Sequence, residues 1–416
     1  MTDTASAGRV ETTDLADPVM FSDPYPRYEV LRRSAPVSRA FSKQLLGGTG
    51  YMLTRHEHVL LLHSDVRFSS DPTSTSQGSS FLLRHLPRMF RLLMSSMVYK
   101  DDPDHARLRR LVNKAFTPRM VQQMTGEIER IVTELFDKVE QRGGETIDLV
   151  GDVAVPLPLS VISTMLGVGD EDRNEFHVLV ERFVVRLGSG STADAMRAVP
   201  TARKLYAVLE RLAEQRRAQT DDGLISALLE ASEDGDSLSP DEVMAMIFLL
   251  MLAGHDTTAN LIGSSAVALI EHPEQAERLR AEPALIPTAV EELLRFTTPV
   301  PCGAARTLLD DVEVGGTTMA KGSKVLGMII SANRDESVFE NPDDLDLARE
   351  PNRHLTFAFG KHFCLGNQLA RLEGQIAIGE LVRRFPAMRL AVPRDALRYK
   401  PVQALRGFRN LPLQLS

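Results

Sequence analysis

The chain has 416 residues, 43% of them hydrophobic, with 48 Lys and Arg against 56 Asp and Glu. That is ample apolar material for a large core, and a net charge of −8 excludes nucleic acid as the main partner, since phosphate binding needs a basic surface. Its two cysteines, Cys302 and Cys364, form neither a disulfide framework nor a CxxC metal pattern.

No Gly/Ser- or Pro-rich linker divides the chain and no fixed period repeats, so one large domain over 11–416 is expected after a poorly ordered tail at 1–10. Pro36–Phe41 and Tyr51–Thr54 flank Gly47-Gly48-Thr49-Gly50 and read as a hairpin turning on the glycines. No Gly-Lys-Ser/Thr follows, so the cluster is not a phosphate loop. Ser79–Tyr99 is rich in Leu, Met and Phe and carries Arg84, His85, Arg88 and Arg91; it reads as a lid with adaptable Met side chains or as a helix docked on the core.

Helical spacing then runs through Thr117–Arg142, Pro158–Leu166, Glu171–Leu187, Ala193–Arg217 and Gly223–Ala231. Ser239–His272 is the clearest helix, with a Ser239/Glu242 capping box, Pro240 in its first turn and Pro273 beyond its end. At 1.5 Å per residue it would span roughly 50 Å, and its first half is apolar all round, as in a buried central helix. Strand signals return near Ala305–Val314, Lys324–Ile330 and the C-terminus, so the fold class is mainly α with small peripheral β-sheets. The longest apolar run, Val243–Gly254, is shorter than the roughly 20 residues a bilayer needs, and no secretory signal pattern opens the chain. A cytoplasmic protein without a membrane anchor is the expectation.

Two constellations carry chemistry. Ala253-Gly254-His255-Asp256-Thr257-Thr258 places Gly and paired Thr inside the central helix, where Thr can turn its hydroxyl onto the carbonyl four residues back. That loosened backbone suits either a small ligand or a close helix contact. Phe357-Ala358-Phe359-Gly360-Lys361-His362-Phe363-Cys364-Leu365-Gly366 precedes the helical pattern Leu365, Leu369, Leu372, Ile376, which puts Cys364 at a helix N-terminus that favours a thiolate. With no zinc-like set around it, a lone axial ligand to haem iron is the better fit; Cys302 reads as a small buried hydrophobe.

The second segment resembles the haem-binding signature F-G-x-G-x-H-x-C-x-G of the cytochrome P450 family, with Ala358 in place of a glycine. Ala253–Thr257 is similar to its A-G-x-D/E-T, Glu292–Arg295 to its E-x-x-R, and Pro342–Arg349 to its P-x-x-F-x-x-x-R, with Leu345 in place of the aromatic. The resemblance implies a prism-shaped α fold holding haem b between the central helix and the Cys364 loop. It implies a monooxygenase of lipophilic small molecules, by hydroxylation or epoxidation and possibly in secondary metabolism, using dioxygen and electrons from ferredoxin and its reductase. A monomer is expected.

By the same resemblance Cys364 ligates iron, Asp256 and Thr257 relay protons, and Phe357, Gly366 and Ala253 border the haem. His105 and Arg109, four apart on one helix face, join Arg306 and His362 on the propionates. Leu249, Leu252, Val300, Cys302, Ala304, Ala404 and Leu405 line the substrate pocket. Glu292, Arg295 and Arg349 form a structural ion-pair group, and Arg107, Arg110, Lys114 and Lys361 offer a docking face to an acidic redox partner. A peroxide-driven enzyme of the same fold and a non-catalytic haem-thiolate binding protein are the alternatives.

Overall fold

The computed structural model describes residues 12–74, 88–142, 146–188, 192–221, 223–233 and 235–415, so the expected tail at 1–10 lies outside the described residues. Helices dominate. The expected helical stretches form as Pro118–Gln123 and Thr125–Arg142, Pro156–Met165, Asp170–Gly188, Thr192–Ala218 and Leu224–Glu230. The largest sheet has six short strands, in the order Thr13–Asp14, Val37–Ser42, Gly48–Leu53, Lys324–Gly327, Arg306–Leu308 and Phe68–Ser69. A second sheet pairs Pro412–Gln414 with Arg389–Leu390 and Thr146–Asp148.

The N-terminal hairpin forms, with Val37 opposite Leu53 and Ser42 opposite Gly48. Of the glycine cluster only Gly47, at φ +71°, lies in the turn, because Gly48, Thr49 and Gly50 already belong to the strand. The reversal is made at Lys43–Leu46, where the Ser42 hydroxyl accepts from the Leu45 N–H at 2.8 Å. The expected strand Lys324–Ile330 also stops short at Gly327. Met328 then turns the chain into the helical turn Ile329–Ala332, whose apolar side chains fill the core on both sides.

The central helix runs Pro240–Glu271 and has the expected capping box: the Ser239 hydroxyl accepts from the Glu242 N–H, and the Glu242 carboxylate accepts from the Ser239 N–H. It is long and apolar enough to cross a membrane by length and composition, yet 72% of that stretch is buried inside the protein, so it is a core helix. Of the Ser79–Tyr99 segment, residues 79–87 lie outside the described residues. The rest forms the helix Arg88–Ser95, docked by buried Leu92 and by an Arg88–Asp241 ion pair to the start of the central helix.

Two further helices meet the central one. Ile286–Thr297 carries Glu292 and Arg295, and Asn367–Arg384 follows the Cys364 loop. Gly374 lets all three approach: a Cβ there would stand 3.1 Å from a Leu261 methyl of the central helix and 3.4 Å from a Val290 methyl. Glu292 and Arg295 are fully buried and bond through two parallel N–H···O contacts of 2.7 Å. Arg349 Nε reaches both Glu292 oxygens at 3.1 Å, and the Asn352 amide and Asp346 N–H complete the carboxylate's shell.

Every lone pair of Glu292 that burial removes from water is thereby answered. Removing the charge leaves two guanidiniums facing each other in the interior. Glu292→Gln is expected to cost about 3–5 kcal/mol. Urea unfolding would show it as a lower midpoint, and a wild-type midpoint would contradict a balancing role for this carboxylate.

Candidate haem-thiolate site

The loop Phe357–Gly366 is built by local hydrogen bonds. Cys364 N–H donates to the Phe357 carbonyl at 2.9 Å, Ala358 N–H to Leu355, and Phe363 N–H to Gly360. Asn367 Nδ2 donates to the Cys364 carbonyl at 2.7 Å, and Arg371 holds Asn367 from one turn further on. Cys364 does not lie in the first helical turn, as its spacing suggested. The helix starts at Asn367 with Gly366 as its N-cap, and the Gly366 N–H points at the Cys364 sulfur. Burial pushes the Cys364 thiol up from the ordinary cysteine range, opposed by that N–H and by the Arg109 and Arg371 charges.

Two loop positions have left-handed backbone. Gly360 has φ +67°, and a Cβ there would lie 2.9 Å from the His63 carbonyl, so no larger residue fits. Ala358, where the family signature has glycine, adopts φ +60°. An L-residue in that region is disfavoured by roughly 1–2 kcal/mol, partly offset by the unfolded-chain entropy that glycine adds. Ala358→Gly should therefore stabilise the protein by up to about 1 kcal/mol in urea unfolding, and a loss of stability would contradict this account of the loop.

Beside the loop lies a cluster of cationic and imidazole groups. His105 and Arg109 share one face of the helix Asp104–Ala115, Arg306 begins its strand, and His63 ends the helix His56–Ser64. The His105 and His362 rings lie 4.1 Å apart, and His362 Nε2 is 2.8 Å from the Ser70 hydroxyl. Arg306 is buried with its Nε unbonded, and buried His63 Nδ1 also lacks a partner. Among the described residues no carboxylate pairs with Arg109 or Arg306. Asp102 is taken by Lys361 and stands 3.7 Å from His105 Nδ1, and Asp101, whose charge reaches Arg306, is held by Ser69 and Ser70.

An unbalanced positive pocket of this kind fits a dianionic ligand edge, such as the two propionates of haem. The four predicted residues do converge there, and His63 and Ser70 join them without any motif to announce them. Burial, together with these neighbouring charges, pushes His362 down to about 3 and His63 down to about 4.

The central helix turns one accessible stripe outward from its buried surroundings. Ala253 is exposed, and Leu249, Leu252, Gly254 and Thr257 are half-buried, a spacing of three and four that defines one face. Thr257 Oγ1 donates to the Ala253 carbonyl at 2.8 Å, the back-bonding expected from the sequence. Asp256 is nearly buried, and its Oδ1 accepts from Lys400 at 2.8 Å.

Phe357 is buried, with the Arg371 guanidinium 4.4 Å over its ring. Val300, Ala404 and Leu405 are half-buried and Ala304 is exposed. Cys302, placed among the pocket residues and also read as a small buried hydrophobe, is buried in the core with Tyr28, Leu31 and Met52, which fits the second reading, and burial raises its thiol to about 12.

A second ion pair beside the first went unpredicted. Arg371 forks onto Glu291 at 2.6 and 2.8 Å, and His354 Nε2 lies 3.0 Å from the same carboxylate. Burial would raise Glu291, yet Arg371 and His354 hold it down at about 2. Only a pairing across 80 residues could have revealed it, and no motif marks it.

The Cys364 loop, the Glu292–Arg295–Arg349 group and the Ala253–Thr257 stripe thus stand in one assembly, and comparison with known proteins names it. A cytochrome P450 family profile matches residues 74–395. The chain belongs to the cytochrome P450 family. It is 38% identical to the polyketide biosynthesis cytochrome P450 PksS of Bacillus subtilis over 92% of this chain and 94% of that one. It is likewise 38% identical to the vitamin D(3) 25-hydroxylase of Pseudonocardia autotrophica, over 97% of each chain. The solved structure of the Bacillus subtilis bacillaene polyketide synthase P450, PksS, superposes with a TM-score of 0.88 at 36% identity, covering 97% of this chain and 99% of that one.

This P450 is therefore a haem b monooxygenase, mainly α with small sheets. The lowered histidines give it a pH signature. In the haem-free fold His362 and His63 stay neutral down to about 3 and about 4, whereas in the unfolded chain they protonate below the ordinary imidazole value of 6.5. Folded-state stability is thus lost as pH falls through that window. Propionates in the cluster would oppose the loss. The urea midpoint of haem-free protein should fall more steeply than that of haem-loaded protein between about pH 7.5 and 5.5, and equal slopes would contradict the propionate assignment.

Proposed function

We propose that this enzyme inserts one atom of dioxygen into a lipophilic small molecule, by hydroxylation or epoxidation, drawing electrons from a separate ferredoxin and its reductase. Bound haem b supplies dioxygen activation, and a thiolate ligand favours O–O cleavage. Cys364 would hold the iron, with His105, Arg109, Arg306 and His362 on the propionates. The observation that carries the reading is the accessible stripe of the central helix, where an apolar wall and the Thr257 hydroxyl share one face with buried Asp256 beside them.

Leu249, Leu252 and Ala253 would present that wall to the substrate, with Val300, Ala304, Ala404 and Leu405 closing it. Thr257 and Asp256 would pass protons toward the oxygen-binding side, each by exchanging its present hydrogen bond for one to water. A peroxide-driven enzyme is less well supported, because it has no need of an intact acid–alcohol pair. Two named relatives belong to polyketide biosynthesis and vitamin D(3) hydroxylation, which favours a large, mostly apolar substrate and a place in secondary metabolism.

For the electron donor, exposed Arg110 and Lys114 would present positive charge to an acidic protein, while exposed Lys361 is paired with Asp102. Arg107 drops out of that face, since its guanidinium is committed to Asp236 and Glu242. We place the protein in the cytoplasm as a monomer.

Turnover with a surrogate ferredoxin system, offered a polyketide macrolactone and vitamin D(3) as probes, tests this reading. Oxygenated product is expected from at least one of them. Thr257→Ala should lower product per electron pair roughly a hundredfold while haem content stays unchanged, the lower end of proton-transfer effects. Undiminished coupling would remove Thr257 from the relay, and no product from either probe would overturn the proposed substrate class.

A further inference from the structure

A buried charge without a counter-ion stands beside the proposed substrate pocket. Arg406 is 8% exposed, and its guanidinium donates to the Phe21 carbonyl, to the Ser22 carbonyl at 3.2 Å and to the Tyr399 hydroxyl at 3.1 Å. All three acceptors are neutral, and among the described residues no carboxylate pairs with Arg406. A guanidinium has five N–H donors, so this set leaves some of them unused. Other buried arginines of the described residues are treated differently. Arg32, Arg295 and Arg334 each meet a carboxylate, and Arg306 faces the proposed propionates. Arg406 is left with an unmet charge.

A second unmatched group shares its surroundings. Tyr28 is 3% exposed, and among the described residues its hydroxyl makes no hydrogen bond. Tyr28 and Arg406 line one cavity, and the Arg406 charge acts on the Tyr28 phenol. Burial pushes that phenol up, so it remains a hydrogen-bond donor. Most of the remaining lining is apolar, with Met20, Leu45, Met328 and Ile330 among it. The space is narrow and suits a head group rather than a whole lipophilic molecule. Leu405 and Pro301 complete it on one side. Leu405 is a proposed substrate wall, and Pro301 follows Val300, which is another. The Arg406 N–H donates to the Pro299 carbonyl at 2.8 Å, which holds these two segments together. Cavity and proposed pocket therefore share a wall.

We propose that this cavity is a head-group site of the substrate pocket, where Arg406 and the Tyr28 hydroxyl bind the carboxylate of a lipophilic acid whose chain runs past Leu405 toward the haem side. The proposal rests on the reading of Leu405 as a substrate wall. A carboxylate answers both unmet groups at once, because it supplies the missing negative charge and accepts from the phenol. An ester or an alcohol brings no charge, so the site separates acids from neutral molecules of the same length. Binding here changes hydrogen bonds and charge pairing only.

The test titrates haem-loaded protein with dodecanoic and hexadecanoic acids and with their methyl esters, at about pH 8, where the acids are ionised. Calorimetry follows binding, and absorbance follows the haem spin state. The better-bound acid is expected to bind at least roughly tenfold tighter than its ester and to shift the haem toward high spin. Tyr28→Phe removes only an unbonded hydroxyl, so the urea midpoint should stay unchanged. It should weaken the acid roughly tenfold and leave the ester within about twofold. Arg406→Gln should abolish the preference for acid over ester, and Tyr28→Phe decides the case if that variant does not fold. Equal affinity for acid and ester, no binding of either acid, or wild-type acid affinity in Tyr28→Phe overturns the proposal. Tyr28-dependent acid binding without a spin shift overturns the substrate role, and locates the failure in the reading of Leu405 as a shared wall.

Discussion

A carboxylate with no access to water organises this protein. Glu292 is balanced by Arg295 and Arg349, and the balance only closes because the surrounding backbone is in place. Arg295 spends its remaining donors on the carbonyls of Asn333, Pro342 and Asp344, and Arg349 on those of Glu340, Asn341 and Asp344. The chain from Asn333 to Arg349 is thus wrapped around two guanidiniums. Asn333 then accepts from the Leu355 N–H and donates to Thr298 and Thr356, and Thr356 bonds back to the Leu294 carbonyl. Those residues abut Phe357, whose carbonyl receives the Cys364 N–H. Order passes from one buried charge to Cys364 through four hydrogen-bonded links and the Thr356–Phe357 peptide bond. Such a group is costly to desolvate and contributes specificity more than raw stability.

Charge is arranged differently on each side of the Cys364 loop. At the Glu292 and Glu291 pairs every buried charge has its opposite, and the result is a rigid scaffold. In the His63, His105, Arg109, Arg306 and His362 cluster it does not, and the resulting positive potential is what an anionic cofactor edge would satisfy. The central helix combines a bonded acid, a back-bonded alcohol and an apolar stripe. The scaffold is balanced, while the binding surface is left with unmet electrostatic demand.

Much of this was legible in the sequence wherever spacing alone determines contact. The central helix, its capping box and its loosened Gly254–Thr258 stretch follow from local chemistry, as do the helices from Thr125 to Glu230. The ordered motifs identified Cys364 and the Glu292–Arg295 pair. Side-chain direction was harder to read. Cys302 sits among pocket candidates yet points into the core, and Gly48–Gly50 form strand where composition pointed to a turn. Long-range partners were invisible: nothing in the sequence ties Glu291 to Arg371, Arg107 to Asp236, or Asp256 to Lys400. These contacts are set by how helices pack, and pairing of that kind leaves no periodic trace.

The account stands or falls on Cys364 as a thiolate ligand presented by a loop that the Glu292 group holds. The most direct measurement is the carbon-monoxide difference spectrum of the freshly reduced, fully haem-loaded protein. The strongly red-shifted Soret band of a carbon-monoxide complex of thiolate-held haem is predicted for wild type, and its loss in Cys364→Ala. A wild-type band at the position given by a neutral thiol or imidazole ligand, with haem fully retained, would contradict the central claim.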